Sequence, residues 1–385
     1  MSELVRTGRL LLDGVFVPGT ITCSGGRIAR IESLAGTDLP EDAPLIAPGL
    51  IDLHVHGFGG CEPLSDLAGM AAALASSGTT AFLPTLFPDD PASLSDDIAQ
   101  VGRQTLGEGR ARVLGLHLEG PFVNPAAAGA LPPERLAEPS PAGLALLLAS
   151  GAASAGVRTV TVAPELSGAR DLIRALVAEG VRPSLGHSLA TCAEARAAAE
   201  DGACGATHLF NAMRPWHHRE GGLAGFALTD SALYAEIIGD LEHVSAEGVA
   251  LALEARGPSG LCLISDALAG AGTGCDVFEV PGHTHAVRHG GAFYREEGGE
   301  RSLLGSALGL LEAVRGLRDA GVVSLEEALT MASETPARAL GMEAEVGRLV
   351  ERGRADLLLL DPADLGLREV LVGGEPAQGI GSSVR

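Results

Sequence analysis

Six residues able to bind a metal or move a proton fall at the ends of short apolar runs in this chain. His54 and His56 close GLIDLHVH, Glu119 ends RVLGLHLE, His187 lies in RPSLGHS, His208 in GATHLFN and Asp266 in LCLISDA. His54 and His56 are two apart, so on a strand they point the same way. Together with His187, His208 and Glu119 they form a set of donors suited to Zn²⁺ or a similar divalent ion. A metal held by such a set lowers the pKa of its water toward neutrality and polarises a carbonyl oxygen. Asp266, left once the ligands are assigned, is then placed to take the water's proton and pass it to a leaving group. A single histidine at a strand end is more often a hydrogen-bonded core residue; the joint pattern is what carries the reading. His117 shares a face with Glu119 one layer deeper and is expected to hydrogen-bond behind the ligands rather than to bind metal.

Those residues need elements that bring them together. Eight apolar runs (49–54, 80–85, 112–119, 158–165, 182–188, 205–211, 234–240 and 261–267) follow Pro48. Most are separated by helical stretches, at 65–77, 91–106, 140–154, 167–179, 189–201 and 245–256. Alternation of this kind predicts an α/β chain built as a TIM (β/α)8 barrel, with strand C-termini converging on the active face. Helices over 305–320 and 324–340 are expected to follow, the second opened by a Ser324/Glu327 capping box. Strand-like texture at 3–47 and again in GRLVERG, ADLLLLDP and LREVLVGGEP predicts a small β-domain formed by both termini. The expected division is 1–48 with 345–385 for that domain and 49–344 for the barrel.

Composition narrows the function. The formal charge is −22, which opposes binding to nucleic acid or an anionic membrane. All 27 basic residues are arginine. The absence of lysine removes Schiff-base chemistry, a phosphate-loop lysine and a carbamylated-lysine metal bridge. Any bridging ligand must therefore be an ordinary carboxylate. Six scattered cysteines without a C-x-x-C pair read as reduced thiols. With an opening segment that lacks a signal-peptide core, they predict a cytoplasmic protein. A second polar cluster, HLFNAMRPWHHREGGLAG (208–225), offers Asn211, His217, His218 and Arg219, and His243 could join it. Arginine is well shaped to hold a phosphate.

The motifs PGLIDLHVHG (48–57), LHLEGPF (116–122), LGHS (185–188), THLFNAM (207–213), HHREGGLAG (217–225), LISDA (263–267) and LLGS (303–306) resemble those of the N-acetylglucosamine-6-phosphate deacetylases of the amidohydrolase superfamily. MASETPARALG (331–341) and ADLLLLD (355–361) extend the likeness over nearly the whole chain. The resemblance implies a β-sandwich beside the barrel. It also implies hydrolysis of the acetamide of N-acetyl-D-glucosamine 6-phosphate, or a close N-acetyl-hexosamine phosphate, to acetate and the amino-sugar phosphate. Glu119, His187 and His208 would hold the principal metal, with His54 and His56 as an optional second pair, giving one or two ions. Asp266 would be general base and acid. Asn211, the Ala212 backbone, Arg219 and His243 would contact substrate, the arginine in some members reaching across a homodimer interface. Two positions depart from the family pattern. Leu241 stands where a glycine is usual, and Leu131 where a histidine polarises the scissile carbonyl. Another amidohydrolase, acting on N-acyl-amino acids or cyclic amides, and a silent sugar-phosphate binder are the alternatives.

Overall fold

The computed structural model describes residues 3–149, 156–280, 283–297 and 300–378. Eight parallel strands run in chain order around a barrel: Leu50–Val55, Thr79–Leu86, Leu116–Leu118, Val157–Val162, Arg182–Leu185, Gly205–Ala206, Tyr234–Ile238 and Leu261–Ile264. Each of the eight anticipated runs overlaps one of these strands. The sixth is only two residues long, because the rest of GATHLFN leaves the ladder to form the site. The barrel nearly closes between its last and first strands: Asp266 N donates to His54 O at 2.9 Å and His56 N to Ala267 O at 2.9 Å. The side chain of Asp52 reinforces this seam, accepting from Ser265 N at 3.2 Å and from Ser265 Oγ at 2.5 Å.

Helices cover the outside as the α/β pattern requires. Expected stretches appear at Pro63–Ser76, Pro91–Gly102, Pro141–Ala149, Ala169–Ala178, Cys192–Glu200 and Ala246–Arg256. The last part of the anticipated 140–154 helix lies outside the described residues. A further helix, Gly222–Thr229, had no sequence expectation; it fills the crossover between the sixth and seventh strands and buries Leu223, Phe226 and Leu228. Two helical expectations are corrected. Residues 305–320 begin as strand, and the helix occupies Leu310–Asp319 after Gly309. The 324–340 stretch starts at the Ser324/Glu327 capping box but breaks at Ser333, giving Leu325–Ala332 and Glu334–Ala339.

Residues of both termini pair into one seven-stranded sheet beside the barrel. Its core is Leu45–Pro48, which lies between Leu4–Leu12 (parallel) and Leu357–Leu360 (antiparallel). A second feature was not expected from sequence: a four-stranded antiparallel sheet (Val277–Val280, His283–His289, Ala292–Glu297, Glu300–Ser306) inserted after the eighth barrel strand. Phe278 and Phe293 meet edge to face at 4.6 Å, and Phe293 packs in a small core with Leu268, Leu304 and Ala307. This sheet leans over the barrel mouth and brings Leu303 and Leu304 to the site.

Candidate active site

Strand ends deliver the ligand-type residues to one buried cluster. His54, His56, Glu119, His187, His208 and Asp266 are each at most 9% exposed. The Nε2 atoms of His187 and His208 lie 2.9 Å apart, and each is 3.0 Å from Glu119 Oε1. His56 Nε2 is 3.2 Å from the other carboxylate oxygen, Glu119 Oε2, and 3.2 Å from His54 Nε2. Asp266 Oδ1 stands 3.5 Å from both His54 Nε2 and His56 Nε2. Glu119 Oε1 therefore meets His187 and His208 at 3.0 Å and His54 at 3.5 Å, while Oε2 meets His56.

The hydrogen bonds behind the cluster settle which ring atoms face it. A carbonyl only accepts, so His187 Nδ1 donates to Ala127 O at 2.9 Å, and the neutral ring turns its Nε2 lone pair inward. His54 Nδ1 faces the carboxylate of Glu236 at 3.3 Å, which fixes the same tautomer. The Nε2 lone pairs of His187 and His54 are thus free to take a cation beside the Glu119 carboxylate, and the buried Nδ1 atoms of His56 and His208 have no hydrogen-bond partner. The donor set, four imidazoles and two carboxylates in two groups, fits divalent zinc-like ions. His117 keeps both nitrogens occupied, donating to Leu53 O at 3.1 Å and accepting from the Thr161 hydroxyl at 2.8 Å. It lies edge-on to His54 with ring centroids 4.5 Å apart, in the supporting position expected of it.

Electrostatics separate the two carboxyls. Burial alone would raise the Glu119 carboxyl, but His54, His187 and His208 outweigh it and hold Glu119 well below the ordinary range. Asp266 moves the other way, pushed well above its ordinary value by burial and then by the charge of Glu119. Burial also holds His54 well below its usual value and pushes His117 down to about 3, so both rings stay neutral. Glu119 is thus a permanent anion, while Asp266 is a carboxyl that readily takes up a proton. Two groups pushed apart in this way mark acid–base chemistry.

Backbone strain is concentrated here. His187, His208, Phe210, Ala212, Leu241 and Asp266 all have positive φ, between 32° and 76°. Such residues cost roughly 1–2 kcal/mol each and cluster at functional sites. Leu241 (φ 62°) holds the left-handed turn that a glycine would adopt without strain. Beside it, Asp240 accepts from Glu242 N and His243 N at 2.9 Å and binds His243 Nδ1 at 2.6 Å, so the His243 ring is locked. Glu165, three residues past the fourth strand, ties the loops on either side, accepting from Asn124 Nδ2 at 2.9 Å and from Ser188 Oγ at 2.7 Å.

A cavity of ≈ 130 Å³ opens above the cluster, and its wall includes Asn211, Ala212, His243 and Leu131. Leu131 is buried with Val123, Ala128 and Ala163, so no donor stands at that position. Arg219 is not part of this wall. It sits on an exposed turn where His217 pairs with Glu220, and its guanidinium contacts the His218 ring at 3.3 Å. Three contributors escaped sequence reading: Phe87, stacked on His56 at 3.9 Å; Asp240; and Glu236 behind His54. Only Glu236 carried a usable signal, as a lone charge in the apolar run YAEII.

Fold and site define a class: the chain belongs to the amidohydrolase family, whose model matches residues 45–380. Within it, the chain is similar to amino-sugar phosphate deacetylases. It is 35% identical to the N-acetylgalactosamine-6-phosphate deacetylase of Escherichia coli O157:H7, covering 98% of this chain and 100% of that one. It is 34% identical to the human N-acetylglucosamine-6-phosphate deacetylase, over 97% and 93% of the two chains. Among solved structures, the N-acetyl-D-glucosamine-6-phosphate deacetylase of Mycobacterium smegmatis superposes with a TM-score of 0.85 at 30% identity, covering 98% of this chain and 100% of that one. That structure is of an aspartate-to-alanine mutant in complex with N-acetyl-D-glucosamine-6-phosphate.

Proposed function

We propose that the chain hydrolyses the acetamide of an N-acetyl-hexosamine 6-phosphate, the glucosamine or galactosamine epimer, to acetate and the amino-sugar phosphate. The observation carrying this reading is Glu119, a buried carboxylate with four histidines within 3.5 Å of it and with Asp266 at 3.5 Å from two of them, His54 and His56. His187, His208 and Glu119 would hold the principal ion, zinc by donor type, and His54 with His56 would hold a second. When bound, the ions supply Lewis acidity toward a water and the acetyl carbonyl oxygen. Because Leu131 offers no donor to that oxygen, the His54/His56 pair gains importance here.

Asp266 removes a proton from the attacking water and returns it to the departing nitrogen, for which its raised proton affinity suits it. Asn211, the Ala212 backbone and the locked His243 ring face the sugar phosphate. Arg219, exposed in this subunit, would meet the phosphate of a partner's site in a homodimer. Unpaired cysteines throughout the described residues support a reducing, cytoplasmic setting, and no described helix is long and apolar enough to cross a membrane.

Replacing Arg219 by alanine tests the phosphate assignment. A charged hydrogen bond is worth about 10–100-fold. Catalytic efficiency on the 6-phosphorylated sugar should fall by that factor, with little change on the unphosphorylated sugar. Equal losses on both would remove the phosphate from the reading.

A further inference from the structure

We infer that the enzyme also hydrolyses N-acyl-hexosamine 6-phosphates whose straight acyl chain is longer than acetyl, the chain entering an apolar annex beside the metal cradle. This rests on the deacetylase reading above. The annex is a second cavity of ≈ 280 Å³, larger than the ≈ 130 Å³ cavity over the cluster, and the two share His56, Phe87, Ala130 and Leu304 as a common wall. The carbonyl carbon of a bound amide carries three substituents in one plane. Its oxygen faces the cradle, and its nitrogen leads to the sugar at Asn211, Ala212 and His243. The third substituent must point away from both, toward Phe87, Ala130 and Leu304, beyond which the annex lies.

The chemistry of the annex suits an alkyl chain. Leu64, Leu86, Pro88 and Leu268 contribute apolar surface to it, and Leu86 and Leu268 are fully buried. A methylene needs about the space of one water, ~30 Å³, so several can enter. Glu134 and Arg135 are exposed and mark the solvent end. The charges there are mainly negative: Glu62, Asp89, Asp97 and Glu134 line the annex against the single guanidinium of Arg135, which is paired with Asp89. An acyl chain ending in a carboxylate is therefore disfavoured. The reaction is otherwise the same hydrolysis. The C–N bond breaks, the water oxygen joins the acyl carbon, and the amine leaves with the proton carried by Asp266, giving a fatty carboxylate and the amino-sugar phosphate.

The experiment follows amino-sugar phosphate release from N-acetyl, N-butyryl, N-hexanoyl and N-succinyl hexosamine 6-phosphates by the metal-loaded enzyme and its Leu64→Trp and Leu64→Phe variants. Each buried methylene contributes roughly fourfold to binding, which offsets the cost of ordering the chain. Butyryl and hexanoyl substrates should therefore keep kcat/KM within about tenfold of acetyl, with succinyl far lower. Leu64 touches the annex and not the cluster cavity. Filling its place should lower hexanoyl turnover by about tenfold or more, the cost of steric exclusion from a packed pocket, and leave acetyl turnover nearly unchanged. Loss of more than a hundredfold between acetyl and butyryl in the unmodified enzyme overturns the inference, as do equal effects of the Leu64 variants on both. Absence of turnover even on the acetyl substrates overturns the deacetylase reading instead.

Discussion

Asp266→Asn is expected to lower turnover about 10²–10⁴-fold, the usual contribution of a positioned general acid–base group, while leaving metal bound at Glu119, His187 and His208. Asparagine keeps the shape of the side chain and tolerates the left-handed backbone found there, φ 51°. The backbone bonds of the seam, Asp266 N to His54 O and Ser306 N to Asp266 O, survive the change. What disappears is the ability to hold a proton. Stability should move in the opposite direction. The folded carboxyl has a raised pKa, so its favourable contribution is complete only below the unfolded value near 3.9 and is lost as pH rises toward the folded one. At neutral pH the metal-stripped wild type carries that penalty and the asparagine variant does not. Thermal melting of the two chelated proteins at pH 7 should show a higher midpoint for the variant. Unchanged turnover would end the assignment of Asp266, whatever the melting result.

Glu119→Gln should be more damaging, because it strikes the cradle itself. The carboxylate is buried and faces His54, His56, His187 and His208, all within 3.5 Å. An amide cannot offer two anionic oxygens, and its NH₂ group would point a donor into the space a cation needs. Disturbing even the groups behind a ligand costs about 10–100-fold in metal affinity, so removing this ligand should cost at least that much. Turnover should fall below detection at stoichiometric metal. The depressed carboxyl of Glu119 adds a pH signature. Its stabilising contribution is present above the unfolded value near 4.3 and is lost as pH falls through the lower folded value, so acid unfolding of the glutamine variant should lack that slope. Direct metal analysis after dialysis checks the first expectation. Full metal retention would show that Glu119 is a bystander.

Both predictions concern residues that were legible in the sequence, and the reason is geometric. A parallel barrel aligns every strand C-terminus on one face, so a histidine or carboxylate ending an apolar run lands at the mouth whatever the loops do. His54, His56, Glu119, His187, His208 and Asp266 converge for that reason alone. Residues contributed by irregular backbone were harder to foresee. Phe87 reaches His56 from a loop, and Leu303 and Leu304 arrive on a sheet inserted after the eighth strand, whose placement depends on packing of Phe293 and Leu304 rather than on a local pattern. Ser333 broke an otherwise continuous helical pattern, a tertiary effect that propensity does not encode. Arg219 was legible as a phosphate-binding type, yet its exposed turn lies off the cavity wall of its own subunit, which sequence spacing could not reveal.

The central claim is that a metal held by these residues drives removal of an acetyl group from an amino-sugar phosphate. The most direct test measures acetate released from N-acetylglucosamine and N-acetylgalactosamine 6-phosphates by one protein sample, before chelation, after chelation and after return of Zn²⁺. Acetate release that disappears with the metal and returns with it, and that requires the 6-phosphate, is the predicted result. Release that persists in metal-free protein, or no release from either sugar by fully loaded protein, would contradict it.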